Sequence, residues 1–368
     1  MLLFLTASLA VLRAPTHLLW MLAIGVTEWG HFLALLCLGA AIPLWNNTWY
    51  GRTAAGLCVA AAVLASTPVL RAASMTGKLQ ERILKTFGEA HARRPLVLAD
   101  LFFGISLPNI QPQKIIYRNI VGADLSLDFY PAQGSKASPL IVVIHGGSWN
   151  SGDNTDFIPM DRYLAGRGFA VADVIYRLAP RSRFPAASED VRAAIAYMRS
   201  RAGEFNLDPA RVVLLGRSAG AQIALHVAYS ANDTGISGVI SFYGPTDLFR
   251  SWEHPGNPMV IDTRAKLTDY LGGSPSALRA DYEAASPVRL AKSASPPVLL
   301  LHGGRDEIVA PDHSDALARR LTELGVPHLY ISLPWATHGF DYLLNGPGGQ
   351  ISIYAIESFL GSVLDQHG

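Results

Sequence analysis

Gly216-Arg217-Ser218-Ala219-Gly220 sets a serine between two glycines, where the apolar run "RVVLLG" gives way to the helix-like "SAGAQIALHVAYS". A strand passing directly into a helix must turn sharply, and glycine on each side removes Cβ atoms that would strike neighbouring backbone. The residue at the apex then stands exposed at a helix N-terminus, the arrangement known as a nucleophile elbow. Serine is also a favoured N-cap, so this stretch alone suits a capping residue equally well. What separates the two is the remainder of the chain. A hydroxyl nucleophile at neutral pH needs a base, and the base needs an acid to fix its tautomer.

In the elbow architecture those partners follow the serine in the order acid, then histidine. Residues 298–310, "VLLLHGGRDEIVA", read as a strand and a loop presenting Asp306. Residues 329–340, "LYISLPWATHGF", read as a strand and a loop presenting His338. Both loops follow C-terminal ends of expected strands, where open α/β sheets place their sites. Glu307 is the alternative acid. Asp312 and His313 read as cap and surface residues at the start of a helix, and His302, His328 and His226 as core or rim histidines. Attack on a carbonyl also creates an oxyanion, which backbone N–H groups can approach only where side chains are small. "IVVIHGGSW" (141–149) offers Gly146 and Gly147, to be joined by the N–H of Ala219 after the serine. A second His-Gly-Gly at 302–304 shows that the tripeptide alone decides nothing; the earlier copy is singled out by preceding the elbow. No spacing of His, Cys or carboxylate suggests a metal site, and the chemistry calls for no cofactor.

Positioning such groups requires a sheet. Apolar runs at 114–118, 125–130, 139–145, 169–176, 211–216, 238–243, 297–302 and 327–333 are the expected strands. Between and after them, helical periodicity marks 156–166, 186–202, 218–230, 312–324 and 350–364. Continuous apolar strands such as "PLIVVIH" and "RVVLLG" belong in a parallel sheet covered on both faces. The first two strands alternate in polarity with no helix between them, which suits an antiparallel edge. The expected class is therefore α/β, with a mostly parallel eight-stranded sheet flanked by helices over residues 113–368. The segment 249–271, with Trp252, Pro255, Pro258 and Met259, is expected to cover the pocket together with 77–105.

The N-terminus differs in kind. The chain carries 30 basic and 29 acidic residues, a balance that gives no electrostatic reason to expect nucleic acid as a partner. Yet residues 1–72 hold only Arg13, Glu28, Arg52 and Arg71 as charged side chains. Within them, 31–45 and 53–70 approach the roughly 20 apolar residues of a membrane-spanning helix. Trp45, Trp49 and Tyr50 in the intervening turn suit an interface, and 1–26 is a less secure third span, interrupted by Arg13 and Pro15. A secretory signal has one apolar core of about 7–15 residues, far less than this. We therefore expect a membrane-anchoring segment at 1–73, a connecting and covering helical region at 74–112 ("GKLQERILKTFGEAHARRP" being its helix), and the catalytic domain beyond. The basic residues Arg71, Lys78, Arg82, Lys85, Arg93 and Arg94 point to the cytoplasmic side for the catalytic domain. Cys37 and Cys58 lie in the apolar stretches and form no disulfide framework.

Six stretches taken together resemble the α/β-hydrolase superfamily, and within it the hormone-sensitive-lipase-like carboxylesterases: "HGGSW" (145–149), "YRLAPRSRFPAASEDV" (176–191), "DPARVVLLGRSAGAQIAL" (208–225), "ASPV" (285–288), "HGGRDEIV" (302–309) and "HGFD" (338–341). The resemblance implies esterase activity on a small-molecule ester, with Ser218, Asp306 and His338 as triad and Gly146, Gly147 and Ala219 as oxyanion hole. Arg217 stands where lipase-like members often carry Asp, Arg181 where an acid is frequent, and Ser148 where a third glycine is common. The elbow is also similar to those of methylesterases for prenylated cysteine and of arylformamidases, which leaves amide or formamide cleavage as the alternative reaction. A non-catalytic membrane scaffold with the same fold is the alternative of a different kind.

Overall fold

The computed structural model describes residues 1–88, 93–121, 123–134, 136–230 and 235–365. Among them one sheet contains β1 (Gln113–Ile120), β2 (Ala123–Tyr130), β3 (Ser138–Ile144), β4 (Ala170–Val174), β5 (Leu207–Arg217), β6 (Ile236–Phe242), β7 (Val298–Gly303) and β8 (His328–Leu333), in the order β1-β2-β4-β3-β5-β6-β7-β8. β2 runs antiparallel to both its neighbours, and the pairings from β4 to β8 are parallel. This is the sheet expected from the alternating edge strands and the continuously apolar central ones.

The helices are α1 (Leu2–Ser8), α2 (His17–Leu44), α3 (Trp49–Phe87) and α4 (Leu98–Phe103) before the sheet. Within it come α5 (Ile158–Gly166), α6 (Ala186–Ser200), α7 (Ala219–Ser230), α8 (Leu248–Glu253), α9 (Thr263–Leu271), α10 (Arg279–Ala284), α11 (Pro287–Leu290), α12 (Asp312–Glu323) and α13 (Pro347–Asp365). Period-two alternation divides the sheet's side chains between two cores. Leu140, Val142 and Ile144 of β3 share one core with Val191 of α6, Ile223 of α7 and Leu317 of α12. Ile141 and Val143 belong to the other core, with Leu79 and Ile83 of α3, Leu164 of α5 and Ile356 of α13. Each such buried aliphatic side chain contributes about 1.5–3 kcal/mol, which makes the sheet a rigid platform for the loops at its ends.

At the N-terminus α2 and α3 pair through small residues. Ala34 and Cys37 face Ala61, Ala62 and Ala65, and a Cβ on Gly30 would lie 2.3 Å from the Ala65 carbonyl oxygen. Side chains of this size let two helix backbones approach closely. Two expectations change here. α1 is only seven residues, about 10 Å long, so 1–26 is not one helix. α3 runs unbroken through residue 73 and so belongs to both the expected anchoring segment and the region after it; the stretch 89–92 of the expected 77–95 helix lies outside the described residues. The described residues of 77–105 pack with the α5/α13 face of the sheet instead of over the pocket: Arg82 donates to the Tyr330 carbonyl and Val97 N–H to Gln350.

Candidate active site

β5 ends at Arg217 and α7 begins at Ala219, so Ser218 alone makes the turn, with φ +53°. A left-handed backbone at a non-glycine residue costs of order 1–3 kcal/mol and persists only where surroundings enforce it. They do so here. A Cβ on Gly216 would sit 2.3 Å from the Gly220 oxygen, and one on Gly220 would sit 2.1 Å from the Ile144 oxygen. The Ser218 N–H is also held by the Phe242 carbonyl at 2.9 Å.

The loops after β7 and β8 meet this turn. His338 Nε2 lies 2.9 Å from Ser218 Oγ, and its Nδ1 lies 2.6 Å from Asp306 Oδ2. The other Asp306 oxygen accepts the N–H groups of Ile308 and Val309, each at 2.8 Å, which fixes the carboxylate's orientation. Burial opposes ionisation of Asp306, but His338 and His302 outweigh it and hold the carboxyl below its ordinary range. His302 reaches Asp306 Oδ2 at 3.4 Å while bonding Ser314 and the Val309 carbonyl, so the expected core histidine also braces the acid. Glu307, the alternative acid, points elsewhere, to the Ala14 N–H and the Thr337 hydroxyl.

Gly146, at the end of β3, is close enough that a Cβ would lie 3.4 Å from the Ser218 Cβ. Gly147 has φ +105°, and its Cβ would strike the Ser151 carbonyl at 2.1 Å, so glycine is required there. His145 beneath them is buried and stacked on Tyr176, and burial lowers its pKa to about 4, leaving it neutral.

Two cavities meet at Ser218. The larger, of about 620 Å³, is bordered by Gly146, Gly147, His338, Tyr342, Ile261 and Trp20. The smaller, of about 30 Å³, lies on the Ala219 side against Trp149, Pro245 and His313. The 249–271 segment does border both, through Ile261 and Lys266. The second wall of the larger cavity comes from His17 and Trp20 of α2, which replaces the expected 77–105 segment. His313 is buried instead of on the surface: its Nδ1 faces the Thr246 N–H at 3.3 Å, and burial lowers its pKa to about 3.

Sequence reasoning missed what surrounds the serine from below. Arg217 is buried, its Nε donating to Asp341 at 2.5 Å and its guanidinium carbon 3.7 Å from the Phe157 ring centroid. Burial alone would lower the Arg217 pKa, but Asp341, Tyr243 and Asp161 reverse the shift. Tyr243 donates its hydroxyl to the other Asp341 oxygen, and its ring packs 4.3 Å from that of His338. A buried arginine demands an acid, and "HGFD" offered one three residues beyond His338.

The BD-FAE family model matches residues 127–321, more than half of the chain. The chain belongs to the BD-FAE family. Among curated proteins it is 29% identical over 249 residues to Esterase LipC of Mycobacterium tuberculosis, a match covering 62% of this chain and 59% of LipC. The chain spans between 54% and 59% of the length of three such mycobacterial relatives. Among solved structures, the esterase Est2 of Thermogutta terrifontis is 25% identical with TM-score 0.53, covering 63% of this chain and 84% of Est2. A puromycin-hydrolyzing peptidase of Mycobacterium tuberculosis is 26% identical with TM-score 0.58, covering 70% of this chain and 40% of the peptidase. With these likenesses the BD-FAE chain has the α/β-hydrolase fold, preceded by two long apolar helices.

Proposed function

We propose that the protein is a serine hydrolase of carboxylic esters, anchored in a membrane by α2 and α3. The observation that carries the reading is the unbroken line of contacts Ser218–His338–Asp306 at the mouth of the sheet, in a chain whose relatives are named esterases. Ser218 Oγ attacks the ester carbonyl while His338 Nε2 takes its proton. Asp306 keeps the imidazole in the required tautomer and stabilises its charged form. The N–H groups of Gly146, Gly147 and Ala219 receive the oxyanion, each such donor contributing about 2.7–4 kcal/mol to transition-state stabilisation. His338 then hands its proton to the leaving alcohol, and water resolves the acyl-enzyme.

The leaving oxygen must lie beside His338, so the alcohol occupies the larger cavity, which His338 borders. The acyl chain points away from the histidine, toward the smaller cavity beyond Ala219. At about 30 Å³ it has room for about two or three water-sized groups, which suits a short acyl group. The alcohol side is amphiphilic, with Trp20, Phe157, Tyr342 and Val260 alongside Asp156 and Lys266. This favours an apolar or lipid-like alcohol with a polar portion near the ester.

The anchor reading rests on two helices of 28 and 39 residues, long and apolar enough to cross a bilayer. Exposed Leu35, Leu36, Ile42 and Val63 lie along them, and Trp45, Trp49 and Tyr50 at the connection are more than 60% exposed. Such aromatics suit a membrane interface, and the basic residues from Arg71 onward suit a cytoplasmic catalytic domain. Amide cleavage on the same groups is the second reading, favoured by the likeness to the puromycin-hydrolyzing peptidase.

One experiment tests both parts. A fluorophosphonate probe should label the full-length protein in the membrane pellet after an alkaline carbonate wash, and Ser218→Ala should abolish the label. A wild-type protein that takes no label ends the hydrolase reading, and label released by the wash ends the integral anchor. Matched p-nitrophenyl esters and p-nitroanilides decide between ester and amide.

A further inference from the structure

We propose that the strap of residues 9–20, between α1 and the first turn of α2, is a working part of the catalytic site, and that Glu307 is the positioning residue through which it acts. The inference rests on the serine-hydrolase reading and adds to it.

The strap is bonded to both loops that carry the partners of Ser218. Arg305 donates to the carbonyls of Leu9 and Ala10, at 3.0 and 2.6 Å. Glu307 Oε1 accepts the Ala14 N–H at 2.8 Å, so the residues on either side of Asp306 both hold the strap. Trp20 donates its indole N–H to the carbonyl of His338 at 3.1 Å. On the pocket side, Asn257 donates to the Pro15 carbonyl and the His17 N–H to Met259.

Glu307 does more than hold Ala14. Its second oxygen accepts the hydroxyl of Thr337, the residue before His338. Alongside the Asp306–His338 contact there is thus a second carboxylate link between the same loops, between residues adjacent to each. Glu307 is 7% exposed and Thr337 fully buried, so water does not compete for the link. With Ala14 seated, the Glu307 carboxylate has its orientation fixed and with it the distance between the two loops. Without the strap that carboxylate is free to turn, and the imidazole loses one of the constraints that aim Nε2 at Ser218. Displacement of a catalytic group by about 1 Å can cost 10²-fold in rate. Because the strap runs directly into α2, the same bonds join the catalytic loops to the apolar helical pair.

A contact that only held the fold would lower thermal stability and leave the rate of the folded protein unchanged. The two roles separate in Glu307→Ala and Glu307→Gln, compared as full-length proteins in detergent. Glutamine preserves an acceptor for Ala14 N–H and can donate to the Thr337 oxygen, whereas alanine does neither. The readouts are kcat and KM for p-nitrophenyl acetate, the rate of fluorophosphonate labelling, and Tm. Glu307→Ala should lower kcat and labelling rate by about 10- to 100-fold. Its KM should change by less than about threefold, and glutamine should restore the rate to within about fivefold. Trp20→Phe, which removes one N–H from the same strap and keeps an aromatic ring, should lower kcat in the same direction, and it carries the test if Glu307→Ala does not fold. Wild-type labelling and turnover in folded Glu307→Ala, or in Trp20→Phe where alanine does not fold, would overturn the proposal. So would equal rate losses in the alanine and glutamine variants. A wild-type protein that neither labels nor hydrolyses would sink the hydrolase reading and this inference with it.

Discussion

Removing Asp341 tests how the charge beside Ser218 is accommodated. Arg217 is 1% exposed and Asp341 fully buried, and the carboxylate accepts both the Arg217 Nε–H and the Tyr243 hydroxyl. Asp341→Leu leaves the guanidinium in place without its direct partner. One-sided loss of a buried ion pair costs about 3–5 kcal/mol, and the stranded tyrosine hydroxyl adds about 1 kcal/mol. Asp161, the next carboxylate whose charge acts on Arg217, recovers part of this. The expected destabilisation is therefore about 4 kcal/mol, a large share of the roughly 5–15 kcal/mol that holds most domains together. Arg217→Met strands the Asp341 carboxylate and should cost about 3 kcal/mol by the same argument. The double variant Arg217→Met/Asp341→Leu removes both charges, and apolar replacement of a buried pair is often neutral. It should lie within about 2 kcal/mol of wild type, more stable than either single variant. Urea denaturation of the four proteins in one detergent, followed by tryptophan fluorescence, closes the cycle. Asp341→Leu within about 1 kcal/mol of wild type, or a double variant as unstable as the two singles summed, would refute the reasoning.

The elbow makes a backbone prediction: Gly220→Ala would set a Cβ 2.1 Å from the Ile144 oxygen, in contact with strand backbone that cannot move aside. A loss of more than about 2 kcal/mol in denaturation, together with loss of fluorophosphonate labelling, is expected; a fully stable, fully labelled variant would contradict it. A pH prediction comes from Asp161 and Asp173, both buried behind Arg217. Burial pushes Asp161 up to about 7 and Asp173 well above its ordinary value, the proximity of each to the other adding to the effect on Asp173. A carboxyl whose folded pKa is raised favours the native state fully below its unfolded value of about 3.9, and that contribution is lost as pH rises through the folded value. Wild-type stability should therefore fall between about pH 4 and 7 and beyond, and Asp173→Asn should flatten the fall. Equal slopes in the two proteins, measured by Tm against pH, would count against the assignment.

What the sequence revealed and what it hid divide along a physical line. The central strands were readable because burial on both faces leaves continuous apolar runs such as Leu140–Ile144. That Ser218, Asp306 and His338 would meet was readable because each follows the C-terminal end of a strand at the same edge of the sheet, β5, β7 and β8. Three of the four helices between β6 and β7 were not, since α8, α10 and α11 are four to six residues long and too short to show a period. The strap was hidden for another reason. Pro15, Ala14 and Trp20 bond to partners 242 to 318 positions away, and each of these bonds uses a backbone group on one side, which carries no residue signature. Arg217 falls between these cases. Its side chain was visible as a departure from the commoner acid, and chemistry required a buried partner once β5 was known to be a central strand. Asp341 was the acid available at the same end of the sheet, since the loop holding His338 must already reach Ser218. The pair thus follows from that contact: if position 338 touches position 218, then 341 and 217 are within reach of each other, and a charge at one calls for its opposite at the other.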